Sequence, residues 1–222
     1  MCEQSKPIVI HGRFVGLRPV WPDDHLLMFE WWTNQDEVPL WTSQFRGITT
    51  FQQFMPTFEA WLREGVTFLL VDLADGTRFG FVRAYNMNLV DGWAWWQAYV
   101  MPTHRTRGRL GEWVPLVSRY LFEQFPIRKL CAEIFEFNQE VRRLHEKLGF
   151  RLDGRLREHT WYRDRYWDHL FFSLSREAWR DSMQKYGFIR SVEDDLAAQL
   201  ADQGDGLQPV GRASDLVGGG NV

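Results

Sequence analysis

A chain of 222 residues with net charge −3, 16% of it aromatic (17 Phe, 12 Trp, 6 Tyr), can bury a core without covalent staples. Its two cysteines, Cys2 and Cys131, are too few for a disulfide framework or a four-ligand zinc set, and the acidic balance disfavours a general nucleic-acid binder. The opening MCEQSKP lacks the basic start and apolar core of a secretory signal, and no uncharged apolar run reaches the ~18–20 residues of a membrane helix, so a cytoplasmic protein is expected.

Ile8–Val20 reads as β structure, then Pro22-Asp23-Asp24 signals a helix start ahead of an amphipathic run to Trp32. Thr49-Thr50 opens a second helical run to about Arg63. Val66–Leu73, Arg78–Ala84 and Trp93–Met101 are predicted strands, with Asp75-Gly76 and Asp91-Gly92 as turns. A helix from about Gly108 to Phe122, a strand Lys129–Phe137 and a helix Gln139–Leu148 follow. Phe150–Arg157 and Tyr166–Leu174 read as the last strands, joined across Arg163-Asp164-Arg165. The order βααβββαβαββ predicts an α/β fold with a mixed sheet. Residues 1–190 hold every aromatic and form the expected domain. In 191–222, Glu193, Asp194, Asp195, Asp202, Asp205 and Asp215 face one base, Arg212; this acidic, Gly-rich tail is expected to be disordered.

The stretch 99–113 carries a strand through a short basic loop into a helix whose Leu110, Trp113, Val114, Val117 and Leu121 share one apolar face. A helix starting there would aim free N–H groups and its positive dipole end at the loop. Gly108 and Gly111 let an anion approach the backbone, while Arg105, Arg107 and Arg109 add charge. That suits a pyrophosphate; the plain alternative is a solvated basic turn. Neither G-x-x-x-x-G-K-S/T nor G-x-G-x-x-G occurs. Pro115 cannot donate to the carbonyl of Gly111, so a kink or a late helix start is expected.

Along Lys129–Phe137, alternation puts Cys131, Glu133, Phe135 and Phe137 on one face and Leu130, Ala132, Ile134 and Glu136 on the other. A carboxylate among apolar neighbours becomes a better base near neutral pH, but periodicity does not choose between Glu133 and Glu136. Val141, Leu144, His145 and Leu148 share a helix face, so His145 points inward, as a proton donor or as a plain core histidine. The six histidines show no metal-ligand spacing, no G-x-S-x-G occurs, and Cys131 lies mid-strand, so neither metal nor covalent catalysis is expected.

Arg105-x-x-Gly108 behind a strand ending Tyr-Val-Met-Pro resembles the acetyl-CoA-binding signature of the GNAT N-acetyltransferases, Q/R-x-x-G-x-G/A. NQEVRRLHEKLGF at 138–150 is similar to that superfamily's second block, N-x-x-S-x-x-L-x-E-K-L-G-F. Leu17-Arg18-Pro19, Asp24, Trp31 and Asn34 near the start, with Gly154, Arg157, Asp168 and Trp179 near the end, resemble the RimJ/RimL-type branch. The likeness spans about residues 8–180. Leu110 stands where the signature has Gly or Ala, Val141 where the block has Ser, and His145 where many members have Tyr.

The resemblance implies the GNAT fold, a mixed, mostly antiparallel central sheet flanked by helices. It implies acetyl-CoA, or another acyl-CoA, as co-substrate and no metal. Backbone N–H groups near Val100 and Met101, together with Arg105, Arg107, Gly108, Arg109, Leu110 and Gly111, would hold it, and Asn138 would orient its arm. The acyl group would pass directly to a primary amine in a ternary complex, with Glu133, five residues before Asn138, as base and His145 as acid. The acceptor is expected to be a small amine, amino sugar, aminoglycoside, polyamine or protein N-terminus. It would lie in a groove between Trp31, Trp32 and Trp41 on one side and Trp161 and Trp167 on the other. No nucleic-acid or membrane partner is expected, and the chain would be a monomer or homodimer. The departures at Leu110, Val141 and His145 also fit a module that binds acyl-CoA without turnover.

Overall fold

The computed structural model describes residues 6–34, 36–42, 50–105 and 108–185. It begins with strands β1 (Ile10–His11) and β2 (Val15–Pro19) and helices α1 (His25–Thr33), α2 (Val38–Trp41) and α3 (Phe51–Arg63). Strands β3 (Val66–Asp72), β4 (Arg78–Asn88) and β5 (Trp93–Val100) follow, then α4 (Pro102–Arg105) and α5 (Trp113–Gln124). The chain continues through β6 (Lys129–Phe135), α6 (Gln139–Lys147), β7 (Arg151–Tyr162), β8 (Arg165–Ser175) and α7 (Arg176–Lys185). The predicted acidic tail, 191–222, lies outside the described residues.

Among the described residues one sheet of eight strands runs in the order β1-β2-β3-β4-β5-β6-β8-β7. All neighbours are antiparallel except β5 and β6, which are parallel. This is the mixed, mostly antiparallel α/β sheet expected. The first predicted strand is in fact a small hairpin, and α2 and α7 were not foreseen. A 3-10 turn, Gly108–Glu112, precedes α5. Pro115 therefore sits in the first turn of α5, where a backbone N–H has no helical acceptor to lose. The helix starts late rather than kinking.

Alternation along the strands divides the core into two layers. Ala94 and Trp96 of β5 join the α5 and α7 side, with Val117, Leu121, Leu130, Phe172 and Trp179. Tyr99 of the same strand joins the α1 and α3 side, with Trp32, Phe54, Phe58 and Phe81.

Two polar locks fix the first hairpin. Glu112, just ahead of α5, accepts hydrogen bonds from the N–H groups of Arg13 (2.8 Å), Phe14 (2.8 Å) and Val15 (3.0 Å). Gly12 leaves room for it, because a Cβ there would lie 2.5 Å from the Glu112 carboxylate and push it aside. Glu112→Ala removes a charged acceptor from three donors and is expected to cost about 2–3 kcal/mol in urea denaturation. An unchanged midpoint would show that water replaces the carboxylate without loss. The second lock is Asp24, with no exposed surface, gripped by Arg18 (2.7 and 2.8 Å), Arg78 (2.9 Å) and the N–H of Trp21 (2.9 Å).

The feature that positions the site is a divergence. β5 and β6 pair only from Trp93↔Lys129 to Trp95↔Cys131, although β5 runs on to Val100 and β6 to Phe135. Beyond Trp95 the two strands part.

Candidate active site

A cleft of about 700 Å³ fills the gap between the parted strands. Trp96 to Val100 line one wall, and Ala132, Glu133 and Phe135 the other. One end reaches Gly108, Gly111 and the start of α5; the other reaches Trp41, Trp61, Glu64, Arg83 and Tyr85.

The backbone of β5 presents hydrogen-bond donors to this gap. Antiparallel strands direct alternate N–H groups to their partner. The N–H of Met101 goes to the carbonyl of Phe79 at 2.8 Å, in register with Phe81↔Tyr99. By the same alternation the N–H groups of Ala98 and Val100 turn away from β4, toward the opening. Of the two donors expected, Val100 is therefore available and Met101 is not, because β4 already occupies it.

The loop end is bare. A Cβ added to Gly108 or Gly111 would meet nothing within 4 Å, and both glycines face the cleft. Arg105 also lines it, but its Nε donates to the carbonyl of Val100 at 2.9 Å and its Nη2 to Glu37. It ties the strand end to the approach to α2, and Glu37 answers its charge. Arg107 lies outside the described residues, as do the side chains of Arg109 and Leu110.

Asn138 is engaged at both ends. Its Oδ1 accepts from the N–H of Val141 (3.3 Å), capping α6, and its Nδ2 donates to the carbonyl of Leu40 (3.0 Å). Gln97 Nε2 donates to the carbonyl of Trp41 at 2.6 Å. Arg105, Asn138 and Gln97 together strap the α2 segment across the cleft.

The two carboxylates separate clearly. Glu133 lines the cleft with its side chain 41% exposed, and His169 Nε2 stands 3.3 Å from its Oε2. Glu136 does not line it; it pairs with Arg155 at 3.2 Å and accepts from the N–H of Asp168 at 3.3 Å. Tyr85 stands near Glu133. Burial first, then that carboxylate, push its phenol well above the ordinary range, so it remains a hydrogen-bond donor.

His145 lines the cleft between Trp96 and Phe150, with ring centroids at 5.9 and 4.7 Å. Its Nδ1 lies 2.8 Å from the carbonyl of Val141, which can only accept, so Nδ1 carries the proton and Nε2 a lone pair. Burial pulls the pKa down to about 4, against a small opposing effect of that hydrogen bond. Of the two roles expected for it, this arrangement favours the plain core histidine over the proton donor: with Nδ1 protonated and the pKa lowered, Nε2 accepts rather than donates. His145 should show no titration between pH ~5 and ~8 by NMR. Its folded pKa lies below the ordinary 6.5, so its contribution to stability is complete above that value and is lost as pH falls toward about 4. A titration midpoint near 6.5 in the folded chain would refute this.

Of the expected acceptor-site tryptophans, only Trp41 lines the cleft. Trp31 and Trp32 are 5% and 1% exposed and pack under α1 against Phe81 and Phe54. Adjacent residues on a helix both reach the core when the buried stripe is broad. Trp161 stacks edge-on against Tyr166 on the β7–β8 hairpin. Trp167 donates its Nε1 to the carbonyl of Tyr162 and carries the guanidinium of Arg165 at 3.3 Å. Both pack within that hairpin rather than the cleft. Trp61, which the sequence reading passed over, does line the cleft; it follows Phe54 and Phe58 at i+7 and i+3 on the inner face of α3. That spacing was the signal available. Among the described residues no cluster of His, Cys, Asp and Glu could hold a metal, and no helix is long and apolar enough to cross a membrane.

Comparison with known proteins agrees with this geometry. The family model for the acetyltransferase (GNAT) domain matches residues 15–151, more than half of the chain. The SPbeta prophage-derived uncharacterized N-acetyltransferase YokL of Bacillus subtilis is 28% identical over 173 residues, 75% of this chain and 92% of that protein. The spermidine N-acetyltransferase of Vibrio cholerae, solved with CoA and spermine, shares the fold at a TM-score of 0.69 and 18% identity, over 76% of this chain and 99% of that one. A GCN5-related N-acetyltransferase of Brucella melitensis does so at 0.65 and 23% identity, over 85% and 87%.

Proposed function

The chain belongs to the acetyltransferase (GNAT) family, and from that membership we propose that it carries an acyl group from acetyl-CoA, or another acyl-CoA, to a primary amine in the β5–β6 cleft. The observation that carries this reading is the parting of β5 from β6 beside Glu133. A thioester arm could enter between the strands with its phosphates toward Gly108 and Gly111, where the backbone is uncovered. The acyl-CoA supplies the activated acyl group.

The chain's own residues would do the rest. The N–H of Val100 would donate to the carbonyl oxygen as charge develops on it. Glu133, with the His169 ring beside its carboxylate, would take the proton of the amine, directly or through one water. Trp41 and Trp61 would shield the amine from solvent, and positioning would contribute much of the rate. With His145 neutral and the Tyr85 phenol held above its ordinary range, the departing sulfur would take its proton from the newly acylated nitrogen, directly or through water.

That the V. cholerae structure contains CoA and spermine supports a small amine as the acceptor class. The same reading keeps 1–190 as the catalytic domain, 191–222 as an acidic tail and the cytoplasm as the place of action, as monomer or homodimer. The test is thiol release from acetyl-CoA against a panel of amino sugars, aminoglycosides, polyamines, amino acids and peptides. Acceptor-dependent release is expected for one class; CoA binding with no release across the panel would sink the reading.

A further inference from the structure

Arg83 is a buried cation whose hydrogen bonds are incomplete. It lies mid-strand in β4, 2% exposed, at the acceptor end of the cleft. Its guanidinium is held between two aromatic faces, with the central carbon 3.9 Å from the Trp61 ring and 4.7 Å from that of Tyr85. Burial pulls its pKa down to about 10, so it remains charged at neutral pH. Yet Nε and Nη2 have no hydrogen-bond partner. Those two nitrogens form one edge of the fork, the edge that takes a carboxylate through two parallel bonds.

Glu64 is the resident counter-ion, and it falls short. Its Oε2 stands 3.6 Å from Nη2, beyond hydrogen-bond geometry, and its side chain is 48% exposed. A buried charge left without hydrogen bonds is costly, and a half-exposed carboxylate is easily swung aside. The arrangement suits a second carboxylate that displaces Glu64 and closes on both nitrogens.

We propose that Arg83 recognises a carboxylate on the acceptor, so that the substrate class is small amino acids rather than polyamines. This rests on the reading of the cleft as the transfer site. Arg83 and Glu133 lie on strands either side of β5, with Gln97 opposite Arg83, so one molecule could present its carboxylate to Arg83 and its amine to Glu133. A polyamine offers no acceptor to Nε and Nη2 and would leave them dry beside its own cations.

The test compares glycine, β-alanine, γ-aminobutyrate, L-phenylalanine and L-lysine with their decarboxylated counterparts, and with spermidine, by thiol release from acetyl-CoA. The N-acetyl product of each is also titrated calorimetrically into the full chain with CoA present. At least one carboxylate-bearing member should be preferred over its counterpart by roughly ten- to a hundredfold in kcat/KM. Arg83→Met should abolish that preference, mainly through KM, with CoA affinity intact. Glu64→Gln, which frees the guanidinium edge, should lower KM for the carboxylate-bearing member by about two- to fivefold, and it decides the matter should Arg83→Met not fold. Spermidine or the decarboxylated amines performing as well, or Glu64→Gln leaving KM unmoved, would overturn the proposal while leaving acetyl transfer standing. Product binding that still discriminates by carboxylate, with no amine turned over, would keep Arg83 as a carboxylate site and remove the catalytic reading instead.

Discussion

Glu133→Gln is expected to lower kcat by roughly 10²–10⁴-fold while leaving CoA affinity unchanged, as measured by steady-state thiol release and calorimetry. Glutamine keeps the shape and hydrogen-bonding reach of the side chain but cannot take up a proton at neutral pH. The carboxylate sits on the cleft wall, on the outward-alternating face of β6, while Ala132 and Ile134 face the core. Glu136→Gln is the matched control. That carboxylate is occupied by Arg155 and the N–H of Asp168, so its loss should lower stability and leave kcat nearly as it was. Equal losses of kcat in the two variants, or none in Glu133→Gln, would take the base role away from Glu133.

Asp24→Asn should destabilise the fold by about 3–5 kcal/mol in urea denaturation. That is a large part of the 5–15 kcal/mol typical of a domain. The substitution preserves shape but leaves the buried Arg18 guanidinium, 7% exposed, facing a neutral amide. Burial alone would raise the Asp24 pKa. Hydrogen bonds from Arg18, the Trp21 N–H and Arg78 outweigh it and hold the carboxyl well below the usual carboxylate range. The sign follows from that depression: the stabilisation is complete above the ordinary carboxyl value near 3.8 and is lost as pH falls below it. The native chain should therefore lose stability steeply on acidification below pH ~4, and Asp24→Asn should flatten that slope. Parallel acid profiles for the two chains would show that Asp24 is not the titrating group. Because Arg78 opens β4, the same lock helps to hold that strand, and with it Arg83, under the cleft.

Much of the framework around the cleft was legible because its signals are local. The strand into the loop, the glycines at 108 and 111 and the alternation on β6 each depend on residues a few positions apart. Pro115 likewise signalled a kink or a late start of α5, and the late start is what forms. Alternation could not choose between Glu133 and Glu136, because one strand has two faces and the sequence does not say what covers each. The resemblance pointed to Glu133, and what distinguishes the two in the fold is tertiary: Arg155 and Asp168 occupy Glu136, while an open gap lies beside Glu133.

Composition, period and turn chemistry by themselves determined the α/β class, the mixed sheet and the position of the loop, since backbone preferences and apolar periodicity act over one or two turns of chain. The tertiary structure decided everything that depends on distant segments meeting. Arg105 reaches Glu37 and Asn138 reaches Leu40, 68 and 98 residues away. Burial beside Trp96 and Phe150 pulls the His145 pKa down, and Trp61, not Trp31 or Trp32, lines the cleft. Arg83 shows the difference most plainly. In the sequence it is one arginine in a strand; the fold buries it between Trp61 and Tyr85, and only that desolvation turns its two open nitrogens into a reason to bind a carboxylate.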